Sequence, residues 1–193
     1  MRATSNAIYQ KLISLTLLCL TFLSPSGLAQ QAIHQTGTPL AEKNQFHAEQ
    51  KWTFILVRHG EKQPGDDPQL TKQGTERAER LAQMLQHIPL DKVYSTDYQR
   101  TQLTAQPTAI GHHLPITSYD PSDLDSFSQQ LFKRPGSYLI VGHSNTTAIL
   151  AHKLNQPSVN TDPDHAEEFD RLYFIEVNIV DGKRINSMYR FSY

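Results

Sequence analysis

The chain has 193 residues, a formal charge of -1 and a pI near 6.7. That length fits one domain, and the near-neutral balance lacks the basic footprint that neutralising a nucleic-acid backbone requires, so no nucleic-acid partner is expected. A hydrophobic content of 38% is slightly low for a globular protein but too rich for a disordered one, and a single packed core is expected.

At the N-terminus, Met1 to Lys11 carries Arg2 and Lys11 without an acid, and Leu12 to Leu23 is a short Leu-rich apolar run. Gly27 and Ala29 then place small residues at the alternate positions a signal peptidase reads. A cleavable signal peptide over residues 1–29 is expected, and with it a periplasmic or secreted protein that keeps no stable membrane association after processing. The apolar run is well short of the ~20 residues that cross the hydrocarbon core, which disfavours a retained anchor. A lipid anchor on Cys19 is disfavoured too, because Leu18 sits where that signal needs a small residue. Cys19 is the only cysteine, so the mature chain is expected to hold no thiol, neither disulfide, nucleophile nor metal ligand.

Residues 30–50 are polar and lack apolar periodicity, reading as a flexible leader to a domain over residues 51–193. Trp52 to Val57 is an apolar run that stops at Arg58-His59-Gly60, as a buried parallel strand would. Asp66-Asp67-Pro68 marks a turn, and after Thr71 the residues Ala78, Leu81, Ala82, Leu85 and Ile88 recur at helical spacing. Asp91 to Tyr94 reads as a second strand. Arg100 to Ile110 reads as a second helix that Pro107 should kink or restart and Gly111 should end. Pro115 to Tyr119, Asp123 to Phe132, Ser137 to Val141 and Asn145 to Leu154 follow as strand, helix, strand and helix, with Asp123 as the helix cap. Arg171 to Val180 and Arg184 to Phe191, joined through Asp181-Gly182, read as a hairpin. The alternation predicts an α/β fold, a three-layer α/β/α sandwich with a mixed, mostly parallel sheet.

Ligand sites of open α/β sheets gather beyond the carboxyl ends of the strands, and two strands here deliver a histidine to that edge: His59 and, in Val141-Gly142-His143-Ser144, His143. Ser95 to Thr101 follows another strand and puts Arg100 near a helix start. Two arginines, two histidines and helix N-termini can therefore converge on one anion. Guanidinium forks match phosphate oxygens, a neutral imidazole can attack phosphorus, and a second can donate to the equatorial oxygens. Such a pocket calls for no metal or cofactor. The nine histidines show no ligand spacing, with His112 and His113 adjacent and His143 and His152 nine apart.

Arg58-His59-Gly60 after an apolar strand, Ser95 to Arg100-Thr101, Gly142-His143-Ser144 and Leu70-Thr71-Lys72-Gln73-Gly74 running into Arg77-Ala78 resemble the histidine phosphatase superfamily, from about Trp52 to the C-terminus. The resemblance implies a phosphoglycerate mutase-like fold and no cofactor. It implies His59 as the nucleophile of a covalent phosphohistidine, and Arg58, Arg100 and His143, with Ser144 beside them, as the phosphate pocket. Ser144 after His143 points to the branch related to phosphoglycerate mutases, since the larger acid phosphatases and phytases place an aspartate there. The chain departs from that branch in lacking an asparagine over Gln63 to Gln69, and in the short stretch from Thr101 to Gly142 that leaves little room for an acidic proton donor. Asp120 is read either as that acid or as a turn residue before Pro121; Glu61 either positions His59 or lines the entrance. The expected function is hydrolysis of phosphomonoesters on a small phosphorylated substrate. The alternatives are removal of phosphate from phosphohistidine in proteins, and binding of phosphate-bearing ligands without turnover. A mutase is disfavoured, because the chain lacks sequence for a closing lid.

Overall fold

The structure, a computed structural model, describes residues 49–155 and 169–193. The expected signal peptide and residues 30–48 of the leader lie outside them. Within them the chain runs β1 (Gln50–Arg58), α1 (Lys72–Leu85), β2 (Lys92–Ser95), α2 (Gln99–Gly111), β3 (Ile116–Ser118), α3 (Leu124–Leu131), β4 (Gly136–Gly142), α4 (Ser144–Asn155), β5 (Arg171–Val180) and β6 (Lys183–Ser192). The six strands form one sheet in the order β3-β2-β4-β1-β5-β6. The first four pair in parallel, while β5 and β6 close the sheet as an antiparallel hairpin. This is the expected mixed α/β sandwich.

Its layers follow from the alternation of side chains along the central strands. On one face Phe54 and Leu56 of β1 and Tyr138 and Ile140 of β4 pack with Leu124, Phe127, Leu131, Leu150 and Leu154 from α3 and α4. On the other, Ile55, Val57, Leu139 and Val141 pack with Leu81 and Leu85 of α1 and Ala105 and Ala109 of α2. Both faces of β1 and β4 are thus covered, which is why their sequences read as continuous apolar runs.

Local signals account for most boundaries. Thr71 caps α1, its hydroxyl accepting from the Gly74 amide at 3.1 Å, and Asp123 caps α3 by accepting from the Ser126 amide at 3.0 Å. Asp181 and Gly182 both have positive φ, 50° and 72°, the left-handed pair that a tight hairpin turn demands. Two expectations fail. Ile88 lies beyond the end of α1 and caps it loosely, its amide donating to the Leu85 carbonyl at 2.9 Å. Pro107 does not interrupt α2, which runs through it; packing of Ala105, Thr108 and Ala109 on the sheet outweighs the one hydrogen bond the proline forgoes. α2 ends at Gly111 as expected, but the left-handed position is His113, φ 55°. There the His113 and Leu114 amides turn back to the Ile110 and Ala109 carbonyls at 3.1 and 3.0 Å, the paired closure of a Schellman end.

One close approach fixes the loop after β1. A Cβ built on Gly60 would stand 2.8 Å from the Gly74 carbonyl oxygen, and one on Gly74 would stand 2.2 Å from the Glu61 carbonyl oxygen. The first turn of α1 therefore lies directly on the Arg58-His59-Gly60 backbone, tied there by the Thr71 amide donating to the Glu61 carbonyl at 2.8 Å. In an open helix Gly→Ala gains up to about 1 kcal/mol. Here Gly74→Ala should instead destabilise by about 2 kcal/mol or more, because the obstacle is backbone that cannot swing aside; urea denaturation midpoints of the two proteins measure it.

Candidate active site

β1 and β4 lie side by side with Arg58 opposite Gly142, so the residues that follow, His59 and His143, leave the sheet together. The His59 amide donates to the Gly142 carbonyl at 3.0 Å, and the two imidazole centroids are 5.5 Å apart. A Cβ at Gly142 would meet the Tyr119 hydroxyl at 2.8 Å and the Thr147 hydroxyl at 3.0 Å, so only glycine lets the strand pass into α4 here. α2 brings Arg100 to the same edge. Arg58, His59, Arg100, His143 and Ser144, the five phosphate-site candidates, all line one cavity of about 500 Å³, together with Lys62, Tyr98, Ser122, Asn145 and Thr146.

His59 is 4% exposed. Its Nδ1 stands 2.8 Å from the Gly60 carbonyl oxygen; a carbonyl only accepts, so Nδ1 carries the proton and Nε2 keeps its lone pair. Burial pulls the imidazole pKa down to about 4, against the opposing pull of that carbonyl and with help from His143 and the two guanidinium groups. The ring is therefore neutral across the physiological range. Gly60 is held in turn, its amide donating to the Thr104 hydroxyl at 2.9 Å, which donates to the Arg100 carbonyl at 2.7 Å.

His143 has the opposite tautomer. Arg100 Nη2 faces its Nδ1 at 3.4 Å, and a guanidinium cannot accept, so Nδ1 carries the lone pair and Nε2 donates to the Thr96 hydroxyl at 2.9 Å. Thr96 is anchored on the fully buried Thr101 hydroxyl at 2.9 Å. Burial, then Arg100 and Arg58, hold the His143 pKa at about 4 as well. The guanidinium planes rest on aromatic rings, Arg58 over Phe169 at 3.9 Å and Arg100 over Tyr98 at 4.4 Å, which supports each cation from its face. Two fixed cations, two neutral imidazoles and the start of α4 thus surround a space suited to a tetrahedral dianion.

The two carboxylate candidates are placed elsewhere. Asp120 is fully exposed and does not line the cavity; its Oδ1 accepts from the Ser122 amide at 2.8 Å and the Ser122 hydroxyl at 2.6 Å. Those bonds hold its pKa below the usual carboxylate value, the geometry of a turn residue. Glu61 faces away from the cavity and forks with Arg77, at 2.6 Å to Nη2 and 3.0 Å to Nε, and the Arg77 hydrogen bonds lower its pKa. Arg77 also donates to the Tyr193 carbonyl at 2.8 Å. Sequence reading gave no role to Thr96, Tyr98, Thr104 and Phe169, which orient the charged groups. Thr96 and Tyr98 lay in the segment Ser95 to Thr101 already singled out, and Thr104 in the helix read after it. Among the described residues no three histidine or carboxylate side chains cluster closely enough to hold a metal ion.

The fold and site define an α/β domain with a histidine at the end of each of its two central parallel strands. Residues 47–121, a segment that takes in β1 through β3, match the family model of the histidine phosphatase superfamily (branch 1). The sequence has no match among curated proteins. Among solved structures, phosphoglycerate mutase from Plasmodium falciparum superposes with a TM-score of 0.55 at 15% identity, over 74% of this chain and 91% of that one. The protein histidine phosphatase SixA complexed with tungstate gives 0.51 at 18% identity, over 72% and 96%. Alpha-ribazole phosphatase from Shigella flexneri gives 0.50 at 16%, over 68% and 93%. At these identities the likeness is one of fold.

The lowered pKa values carry a linkage. In the unfolded chain both imidazoles take a proton near pH 6.5, whereas in the fold they wait until about pH 4. Between those limits the unfolded state binds more protons, so stability is full above pH 6.5 and is lost as pH falls towards 4. Urea midpoints should drop over that window, less steeply in a His59→Asn/His143→Asn variant. Saturating phosphate should raise the His143 titration seen by NMR, because a dianion beside Nδ1 favours the imidazolium.

Proposed function

We propose that the chain is an exported phosphatase that moves a phosphoryl group from a small phosphorylated compound to His59 Nε2 and then to water. The observation that carries this reading is the Gly60 carbonyl on Nδ1, which leaves Nε2 as the ring's nucleophilic atom in a cavity shared with Arg58, Arg100 and His143. The Nε2 lone pair attacks phosphorus as the bond to the leaving atom breaks, giving a phosphoramidate on His59. Arg58 and Arg100 take up the charge on the transferring oxygens, and His143, whose one N–H in the neutral ring is given to Thr96, adds a donor from Nδ1 once the dianion draws a proton there. Water then attacks the phosphohistidine, frees inorganic phosphate and restores the neutral imidazole.

Substrate chemistry follows from the lining: among the described residues that form the cavity there is no carboxylate. General acid help, worth ~10²–10⁴-fold where it exists, is not built into these walls, so leaving groups that depart without it are favoured. Aryl and other acidic phosphomonoesters fit. A second reading fits the same observation, a phosphohistidine phosphatase, because the leaving imidazole nitrogen takes its proton readily from water.

His59→Ala should abolish both turnover and the acid-labile, base-stable phosphoenzyme formed from a radioactive phosphodonor. Arg58→Ala and Arg100→Ala should each lose about 3 kcal/mol of transition-state stabilisation, and Arg58→Lys should not restore it, lacking the planar fork. Wild-type turnover should be far faster on p-nitrophenyl phosphate than on an alkyl phosphate. Asp120→Asn should leave both rates within about twofold; a selective loss on the alkyl ester would return Asp120 to the role of proton donor. Export rests on the Arg2 and Lys11 flanks, the Leu12 to Leu23 run and the small residues Gly27 and Ala29. N-terminal sequencing of the processed protein should begin at Gln30.

A further inference from the structure

The loop between β1 and α1 carries one residue in a costly conformation. Asp67 has φ 44°, a left-handed geometry that aspartate and asparagine tolerate better than most residues. The α2 N-cap residue Tyr98 makes no side-chain cap. Asp67, from 32 positions away in sequence, supplies the missing acceptor: its Oδ1 receives the Gln99 amide at 2.8 Å, while the Gln99 side chain donates back to the Asp67 carbonyl at 3.0 Å. The same Oδ1 lies 3.5 Å from Arg100 Nη1. We infer that Asp67 is the positioning residue for Arg100, a borrowed helix cap whose charge fixes the guanidinium in the phosphate pocket.

The geometry around Arg100 explains why such a residue is needed. Tyr98 supports the guanidinium from its face, and His143 meets Nη2 at a long 3.4 Å, neither of which fixes rotation in the plane. Arg100 Nε has no hydrogen-bond partner. The Asp67 carboxylate, 3.5 Å from Nη1, supplies a further restraint at the other end of the fork from Nη2, which lies beside His143. The Arg100 side chain is 16% exposed against 43% for Asp67, so the restraint acts from the solvent side of a partly desolvated cation, where an ion pair counts for more than at an open surface. Its effect on catalysis has a defined signature. Removing the charge makes the pocket more positive, which favours binding of the dianion, but frees Arg100 to leave the orientation that the transition state requires.

Asp67→Asn separates the two roles, because asparagine keeps the left-handed backbone and an oxygen for the Gln99 amide while losing the charge. The inference rests on the phosphatase reading for its kinetic arm only. Expected are a kcat on p-nitrophenyl phosphate lowered about tenfold, with KM unchanged or lower, and a thermal midpoint close to wild type. Asp67→Ala should lower both kcat and the midpoint, and in an Arg100→Lys background Asp67→Asn should cost nothing further. The second arm needs no turnover: the Arg100 guanidinium N–H signals, followed by NMR at low temperature, should be distinct in the wild type and average in Asp67→Asn, with the Gln99 amide signal retained. A wild-type kcat in Asp67→Asn, or guanidinium signals unchanged by it, overturns the inference and leaves Asp67 a helix cap. If the wild-type chain turns over no phosphorylated compound, the phosphatase reading fails and the guanidinium signals alone decide the role of Asp67.

Discussion

Everything at the site depends on the parallel pairing of β1 with β4 in one register. Arg58 lies opposite Gly142, and the hydrogen bond from the His59 amide to the Gly142 carbonyl extends that ladder by one residue beyond the sheet. A slip of one position would turn every buried side chain of β1 to the other face, moving Phe54 and Leu56 from the α3/α4 core to the α1/α2 core. The cost of that exchange, spread over two fully buried strands, is what holds the histidines 5.5 Å apart. Precision at the pocket is thus derived from apolar packing that touches no ligand.

Packing alone would leave the imidazoles indifferent to their neighbours, and the polar contacts supply the rest. His59 and His143 are held as opposite tautomers, one by a backbone carbonyl and the other by a threonine hydroxyl. Desolvation among guanidinium groups keeps both neutral. An imidazolium in this cavity would face two cations, with no carboxylate among the described lining residues. Neutral imidazoles and neighbouring guanidinium groups are thus two sides of one arrangement.

The sequence disclosed whatever is local or periodic. The apolar runs ending at Arg58 and Gly142, the Thr71 and Asp123 caps and the Asp181-Gly182 turn each announce themselves within a few residues, and the structure forms all of them. What it concealed is carried by contacts between distant segments. Pro107 reads as a break because its cost is local, whereas the packing that overrides it belongs to the sheet beneath α2. Gly111 reads as a helix end because glycine is the usual left-handed residue, yet the chain spends that conformation on His113. Asp120 sits where a strand end meets the site in sequence, but two hydrogen bonds from Ser122 turn its carboxylate aside. Arg77 looks like any polar residue of an amphipathic helix, and only the fold shows it buried between Glu61 and Tyr193.

The loop after β1 joins these two kinds of information. At one end Gly60 presses on Gly74 so closely that no side chain fits between α1 and the backbone that carries His59. On its far side Glu61 is clamped by Arg77, and further along Asp67 reaches α2. Three helix contacts therefore converge on nine residues of chain, and each constrains a different group: the backbone of His59, the direction of the loop, and the helix end from which Arg100 projects. Loop residues normally trade order for mobility. Here the loop turns through the left-handed Gly65 and Asp67 and is bonded to both helices, so it behaves as part of the scaffold. His59 on such a scaffold keeps little conformational freedom of its own, because the entropy of aligning it is met on folding.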